Sequence, residues 1–130
     1  MKYFTFEWGK AFCQGLSNNP AYNSAAATWE GDFVFICDDH PDGDVKHLYL
    51  DLWHGKCRGV EDVDENKEAE FIIRGDYDVY VQIAKKELDP IRALMEGSLD
   101  LDGDMSKIMR ATKAAIELVN TITLVEGVEF

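Results

Sequence analysis

The stretch DPIRALMEGSLDLDGDMSKIMRATKAAIELV, from Asp89 to Val119, predicts a short helix, a short strand and a long helix in quick succession. Asp89-Pro90 is a helix start, because an Asp side chain accepts from unpaired first-turn amides and Pro lacks the N–H that would need a partner there. Gly97 ends this helix, since glycine most easily adopts a left-handed conformation. The alternation from Ser98 to Asp102 then predicts a half-buried strand with its leucines inward.

A long helix follows, which Gly103 separates from the strand and Asp104 caps. Its apolar positions recur at three- and four-residue steps, which predicts that one face turns toward the protein interior. This face comprises Met105, Ile108, Met109, Thr112, Ile116 and Val119. Methionine side chains fit irregular or changing contents, so such a face suits either an ordinary core or a binding cavity.

The chain before Asp89 predicts a sheet with helices at its ends. Two helices open it, and the second begins at Asn19-Pro20. Period-two patterns predict strands from Asp32 to Cys37, Val45 to Trp53, Lys56 to about Val63 and Glu68 to Arg74. His54-Gly55 supplies a two-residue hairpin turn, and the consecutive strands predict an antiparallel meander. A further helix, entered through Gly75-Asp76, leads into the Asp89 stretch.

The sum of these elements is an α+β fold, in which helices cover one face of a five-stranded, mostly antiparallel sheet. The chain has 130 residues, of which 46% are hydrophobic. That length is enough to bury a sizeable core but too short for two ordinary ones. We therefore expect a single domain over residues 1–130.

Charge and cysteine content exclude several classes of partner. The formal net charge is −12, so the field of the protein repels phosphate backbones and we expect no nucleic-acid partner. No apolar stretch approaches membrane-spanning length, and charge interrupts the apolar start, so we expect no stable membrane insertion and no signal peptide. Cys13, Cys37 and Cys57 are odd in number and include no C-x-x-C pair, which we interpret as reduced thiols of a cytoplasmic protein.

Candidate metal and catalytic motifs fail at the positions that their chemistry requires. In DDHPDGDVKHLY, which starts at Asp38, glycine holds the sixth position of a calcium loop, but Tyr49 stands where a bidentate Glu is needed. His40, His47 and His54 recur at seven-residue steps, but the Asp42-Gly43 turn interrupts the segment, so neither helix nor strand periodicity gathers them into a cluster. The sequence has no G-x-S-x-G elbow and no phosphate-binding glycine loop. We expect no metal, no cofactor and no catalytic residue.

Cys57 is a candidate nucleophile, because it lies between Lys56 and Arg58. Two neighbouring cations can lower the pKa of a thiol and make it reactive. The alternative interpretation, which we favour, is a small hydrophobic residue that points inward from a hairpin.

The Asp89 stretch also carries a resemblance to a known family. Leu88-Asp89-Pro90, Ala93 to Leu99 and Leu101 to Met105 are similar to the core motifs of the sterol carrier protein-2 (SCP-2) family. In that family a short "NP..AF..G" helix, a "KLK(I)KG" strand and an "NM" helix start occur in this order. Glu70 to Ile73 followed by Asp76-Tyr77 resembles the family's strand and "D.DF" helix entry.

The resemblance covers most of the chain from about Phe33 onward. Trp29-Glu30-Gly31 and the run from Leu50 to Cys57 are similar to the prokaryotic stand-alone branch of the family. One departure is that Ser98, Asp100 and Asp102 stand where the family tends to place lysines, which weakens an inference to anionic headgroups or coenzyme A esters. A local cationic rim remains available, or else a solvated helix face, in Arg92, Lys107, Arg110 and Lys113.

The resemblance implies a hydrophobic cavity between sheet and helices, and a non-enzymatic protein that binds or carries a lipid of fatty-acid, fatty-acyl, sterol-like or isoprenoid type. A buried chain of about fifteen methylenes would contribute up to about 12 kcal/mol before ordering costs. The predicted ligand-binding residues are Trp8, Phe12, Phe33, Phe35, Leu48, Leu50, Leu52, Phe71, Ile73, Tyr80, Ile91, Leu94, Met95, Met105, Ile108, Met109, Thr112 and Ile116.

An interaction module is the alternative function. In that case the same apolar groove would hold a protein partner or a second copy of the chain, so a homodimer is possible. It predicts a stable oligomer and a filled core, whereas a carrier predicts a gap between the layers.

Overall fold

The computed structural model describes all 130 residues, which form six helices and one sheet. The helices are α1 Phe6–Asn18, α2 Pro20–Ala25, α3 Tyr77–Ala84, α4 Pro90–Glu96, α5 Met105–Arg110 and α6 Thr112–Ile122. The strands are β1 Glu30–Cys37, β2 Lys46–Trp53, β3 Lys56–Asp62, β4 Phe71–Gly75 and β5 Asp100–Asp102. The α+β fold with a five-stranded, mostly antiparallel sheet is confirmed.

The order of the strands in the sheet is β3-β2-β1-β4-β5. All neighbours are antiparallel except β1 and β4, which run parallel. The predicted meander is therefore wrong after β3, because β4 pairs with β1. Val34 and Ile36 are buried on one face of β1 and Phe33 on the other, so this strand takes the centre of the sheet. Residues 63–70, eight in number, reach up to about 26 Å and easily cross the three strand spacings of about 14 Å to β4.

The predicted helix ends in the stretch from Asp89 to Val119 are confirmed by hydrogen bonds and backbone angles. The Asp89 carboxylate accepts from the N–H groups of Ile91 and Arg92, and Gly97 ends α4 with φ +82°. Asp104 accepts from the N–H of Ser106 and starts α5. These short-range hydrogen bonds satisfy backbone groups that a helix end leaves without partners.

The long last helix is instead two helices, which break at Ala111. Its φ and ψ are −109° and 30°, and its N–H bonds the carbonyl of Ile108, three residues back. The Thr112 hydroxyl donates to the carbonyl of Met109, which competes with the next helical amide for that acceptor. Successive helical residues are about 100° apart around the axis, and Ile108, Ala115 and Val119, which this spacing places on one face, still line the same cavity on both sides of the break.

The cysteine prediction is wrong, because Cys13 and Cys57 form a disulfide between α1 and β3. Their Cα atoms are 5.2 Å apart although the residues are 44 positions apart in sequence. Cys37 stays free and buried. An odd number of cysteines still allows one bonded pair with one free thiol left over. The disulfide removes Cys57 as a candidate nucleophile.

The β2–β3 hairpin turn is confirmed, with positive φ at both His54 (+48°) and Gly55 (+77°). A side chain at Gly55 would also lie 2.8 Å from the Cα of Asn23, whose side-chain amide donates to the Gly55 carbonyl at 2.6 Å.

We expect Gly55→Ala to lower the free energy of unfolding by about 2 kcal/mol or more, because left-handed strain of about 1–2 kcal/mol adds to this collision. Gly59→Ala, in the same hairpin, is the matched control, since Gly59 has open space around it and no positive φ. Urea denaturation measures both variants. Equal stabilities of the two variants would contradict the proposed origin of the Gly55 requirement.

Candidate functional site

A cavity of about 130 Å³ lies between the sheet and the helices, and 24 of its 25 lining residues are hydrophobic. Its floor is one face of the sheet, because the alternation of a strand directs every second side chain to the same side. The floor residues are Phe33 and Phe35 of β1, Leu48, Leu50 and Leu52 of β2, and Ile73 of β4. All six were predicted from the period-two pattern.

Each of the six helices contributes to the cavity wall opposite this floor, which places the helices on one face of the sheet. The predicted residues found there are Trp8 and Phe12 of α1, Tyr80 of α3, Ile91 and Leu94 of α4, and Ile108 of α5. Leu99 and Val119 also line the wall; they were predicted to point inward but not as ligand-binding residues. The other wall residues absent from the predicted ligand-binding set are Tyr3, Phe4, Tyr22, Trp29, Ile83, Pro90, Ala111, Ala114, Ala115, Leu118 and Ile122. Five of the additional residues, between Ala114 and Ile122, belong to α6.

Six predicted residues lie outside the cavity wall: Phe71, Met95, Met105, Met109, Thr112 and Ile116. Phe71 is fully buried, but its ring packs against Trp29 and Phe33, which line the cavity in its place. Met95 is 65% exposed, because the cavity side of the short α4 is taken by Ile91 and Leu94.

Of the stripe predicted for the last helix, Ile108 and Val119 are buried and line the cavity, whereas the other four residues do not line it. Met109 and Ile116 are 46% and 44% exposed. At about 100° per residue they lie roughly 80–100° around the axis from the buried Ile108. Past the break at Ala111, α6 turns small and branched residues inward. These are Ala114, Ala115, Leu118, Val119 and Ile122. The break itself had one local signal, a Thr whose hydroxyl can bond the backbone three residues back.

Polar atoms in the wall are mostly turned away from the cavity. The Tyr3 hydroxyl donates to the carbonyl of Tyr80, and the Tyr80 hydroxyl lies 3.0 Å from the carbonyl of Ile36. Burial raises the pKa of both phenols above the ordinary value, so both stay neutral. Trp8 Nε1 is buried without a hydrogen-bond partner. The cavity therefore presents carbon surface, which water wets poorly and an apolar ligand fills favourably.

A second, more polar hollow of about 340 Å³ adjoins this cavity. Trp29, Ala111 and Ala114 line both volumes. The polar side chains of the second hollow are Thr28, Glu30, Lys107 and Arg110, and we call it the vestibule. Lys107 Nζ bonds both the carbonyl of Glu30 and the carboxylate of Glu70, each at 2.6 Å.

No group of three or more His, Cys, Asp or Glu side chains is arranged to hold a metal ion. No helix has both the length and the apolar character needed to cross a bilayer.

The fold has counterparts among known proteins. The model of the SCP-2 sterol transfer family matches residues 10–115. The chain belongs to the SCP-2 sterol transfer family. Among curated protein sequences none matches this chain. The family assignment confirms the resemblance that the Asp89 stretch indicates, and it agrees with a fold that supports lipid binding.

Solved structures of SCP-2 proteins superpose over almost the whole chain. A crystal structure of sterol carrier protein 2 is 35% identical, with a TM-score of 0.84, and the match covers 95% of this chain and 98% of the other. A solution structure from Thermus thermophilus, described as possibly a sterol carrier protein, is 36% identical with a TM-score of 0.87 and coverages of 96% and 90%. Palmitated SCP2L2 from Aedes aegypti shares the fold alone, at 17% identity, a TM-score of 0.54 and coverages of 82% and 92%.

Proposed function

We propose that this protein binds and carries a single hydrophobic molecule, of fatty-acyl, sterol-like or isoprenoid type, in the apolar cavity and catalyses no reaction on it. The observation that carries the proposal is the cavity itself, with 24 hydrophobic residues among 25 in its wall. A packed domain core of ordinary density leaves few voids larger than a water molecule. Membership of the SCP-2 family supports the same function.

The volume of the cavity limits how much ligand fits without movement. An apolar cavity of roughly 150 Å³ holds one benzene, so about 130 Å³ accommodates roughly six carbon atoms. Burying them contributes about 5 kcal/mol at about 0.8 kcal/mol each, before ordering costs. A ligand chain of about fifteen methylenes is therefore too long for the cavity at this volume. Such a chain can enter only if the sheet and the helices move apart.

A fatty-acyl ligand is supported by a protein that shares this fold. The Aedes aegypti protein, which is similar to this chain in fold, was solved in a palmitated form. A sheet-and-helix arrangement of this kind therefore accepts a long acyl chain in at least one protein. We infer that α4 and α6, which pack against each other over the cavity, move apart when such a chain enters.

Native mass spectrometry of the purified protein tests the carrier function. We expect adducts with the mass of a lipid, which disappear after delipidation and return on adding a fluorescent fatty acid. A protein that never carries a lipid and takes up no fluorescent fatty acid, sterol or isoprenoid would overturn the proposal.

The interaction module, in which a protein partner or a second copy occupies the apolar groove, is the second candidate. Three exposed apolar side chains outside the cavity wall add surface that such a partner would cover. Met95, Met109 and Ile116 are all exposed although the sequence pattern directs them inward. A second copy of the chain could cover such side chains. Light scattering decides this point: a stable dimer that loses lipid uptake when it forms would favour the module, and a lipid-loaded monomer would exclude it.

A further inference from the structure

The disulfide between α1 and β3 joins one wall of the cavity to its floor. Phe12 lines the cavity from α1, and the next residue, Cys13, is bonded to Cys57 of β3. Cys57 lies directly opposite Leu52 of β2, which is a floor residue. The disulfide therefore connects a residue beside the wall to a residue beside the floor, with their Cα atoms 5.2 Å apart. It fixes how far wall and floor can separate at this end of the cavity.

The other contacts between α1 and β3 are not covalent. The Ser17 hydroxyl accepts from the N–H of Cys57 at 2.9 Å and donates to its carbonyl at 3.1 Å. Gly9 packs closely against Val60, since a Cβ at Gly9 would lie 3.2 Å from a Val60 methyl group. Hydrogen bonds and packing contacts exchange for water when a helix shifts, whereas a disulfide does not. The disulfide is therefore the contact that holds α1 in place when a ligand presses on the wall.

The first helix presents a flat aromatic surface to the cavity. The rings of Trp8 and Phe12 stack with their planes 10° apart and their centres 4.9 Å apart. Leucines of β2 form the floor on the other side, so the position of α1 sets the width of the cavity at this end. A single alkyl chain is slender and flexible, and it can enter where α4 and α6 part. A fused-ring sterol is rigid and wider, so it also needs α1 to move away from the sheet.

The disulfide is open to attack from one side. Cys57 is partly exposed and belongs to β3, an edge strand of the sheet, whereas Cys13 is only 8% exposed. A thiolate of a dithiol reductant attacks the Cys57 sulfur, and the Cys13 sulfur leaves as a thiolate that takes up a proton. The second thiolate of the reductant then breaks the mixed disulfide and releases Cys57, which is protonated in turn. Two electrons and two protons pass to the protein, and the reductant becomes a cyclic disulfide.

We propose that the Cys13–Cys57 disulfide is a redox switch of ligand width: the oxidised protein accepts a single alkyl chain, and the reduced protein also accepts a sterol-like polycycle. This inference rests on the proposed carrier function and adds to it the condition under which each class of lipid binds. In the oxidised protein the wide state is closed off. Reduction populates that state, and the apparent affinity for a wide ligand rises with its population.

Fluorescence titration of the whole chain measures the switch with two probes. cis-Parinaric acid is a fluorescent single-chain fatty acid, and dehydroergosterol is a fluorescent sterol. In the wild-type protein, we expect dithiothreitol to tighten dehydroergosterol binding by about tenfold or more and to leave cis-parinaric acid binding unchanged. Thiol counting in denatured samples establishes the redox state, and far-UV circular dichroism checks that the reduced protein stays folded.

The double substitution Cys13→Ser and Cys57→Ser removes the bond permanently. We expect this variant to bind dehydroergosterol as tightly as the reduced wild type, with and without dithiothreitol. Cys37→Ala is the matched control, because it removes the remaining, buried thiol and keeps the disulfide. Its sterol binding should respond to dithiothreitol as that of the wild type does.

Three results would overturn the switch. Equal dehydroergosterol affinity of the oxidised protein and of the folded, reduced protein would show that the bond only stabilises the fold. A reduced protein without its helical signal would show that no second folded state exists. A response of the double variant to dithiothreitol would place the effect outside the disulfide.

The switch and the carrier function fail in distinguishable ways. A protein that binds cis-parinaric acid and never gains sterol binding on reduction retains the carrier function and loses the switch. A protein that binds neither probe in either redox state, and no other lipid, loses both.

Discussion

Ala115→Phe is expected to weaken lipid binding at least tenfold while the protein stays folded. Ala115 lies in the cavity wall on α6, and a phenyl ring has the size of the benzene that an apolar cavity of roughly 150 Å³ accepts. The added ring therefore occupies the roughly 130 Å³ that the ligand needs. Filling the void also restores lost packing contacts, so we expect the melting temperature to stay the same or rise.

Ile116→Phe is the matched control on the neighbouring residue. Ile116 is 44% exposed and lies outside the wall, so the same ring points away from the cavity. Titration with a fluorescent fatty acid measures binding for both variants, and a thermal melt checks that they fold. Binding by Ala115→Phe at the wild-type level would place the lipid elsewhere on the molecule. Loss of binding in Ile116→Phe alone would instead indicate that the lipid binds on the face of the last helices that carries Met109 and Ile116.

Removing the disulfide by the double substitution Cys13→Ala and Cys57→Ala is expected to cost about 4 kcal/mol of unfolding free energy. The bond closes a loop of 44 residues, and the chain-entropy model assigns about this value to a loop of that length. The loss corresponds to a fall of about 10 °C or more in melting temperature for a chain of this size. Because α1 carries Trp8 and Phe12, the same change loosens one wall of the cavity.

Reductant provides the control for this prediction. Wild-type protein in dithiothreitol should lose the same stability in a urea titration, whereas the double variant should not respond. A thiol reagent should count one thiol, Cys37, in denatured protein without reductant, and none in the native state, where burial raises the pKa of Cys37 to about 11. Three thiols in the unreduced, denatured protein would contradict the disulfide.

The floor of the cavity could be predicted from sequence because a strand has a strict period of two. Phe33 and Phe35, and likewise Leu48, Leu50 and Leu52, must share a face wherever their strands end up. Helix ends were equally accessible, since Asp89 and Gly97 act through hydrogen bonds and backbone angles within a few residues. These features depend on neighbours in sequence.

The helical wall was harder to predict, because a pattern of three- and four-residue steps fits two neighbouring faces of the same helix. Met109, Thr112 and Ile116 follow one three- and four-residue pattern in the sequence, yet none of them reaches the cavity. Ala115 and Val119 lie within about 20° of Ile108 around a regular helix, whereas Met109 and Ile116 lie about 80–100° away, so the predicted face was centred too far to one side. The vestibule was not predicted from sequence, because its polar side chains come from separate parts of the chain.

By itself, the sequence determined the elements, their caps, the hairpin turn and the residues that share each strand face, because hydrogen bonds and steric limits over a few residues fix all of these. Only the tertiary structure decided that β4 lies beside β1, that Cys13 meets Cys57, and that the layers leave a cavity with a charged vestibule. These outcomes depend on contacts between residues tens of positions apart, and the free energy of such contacts is set by how whole layers pack together.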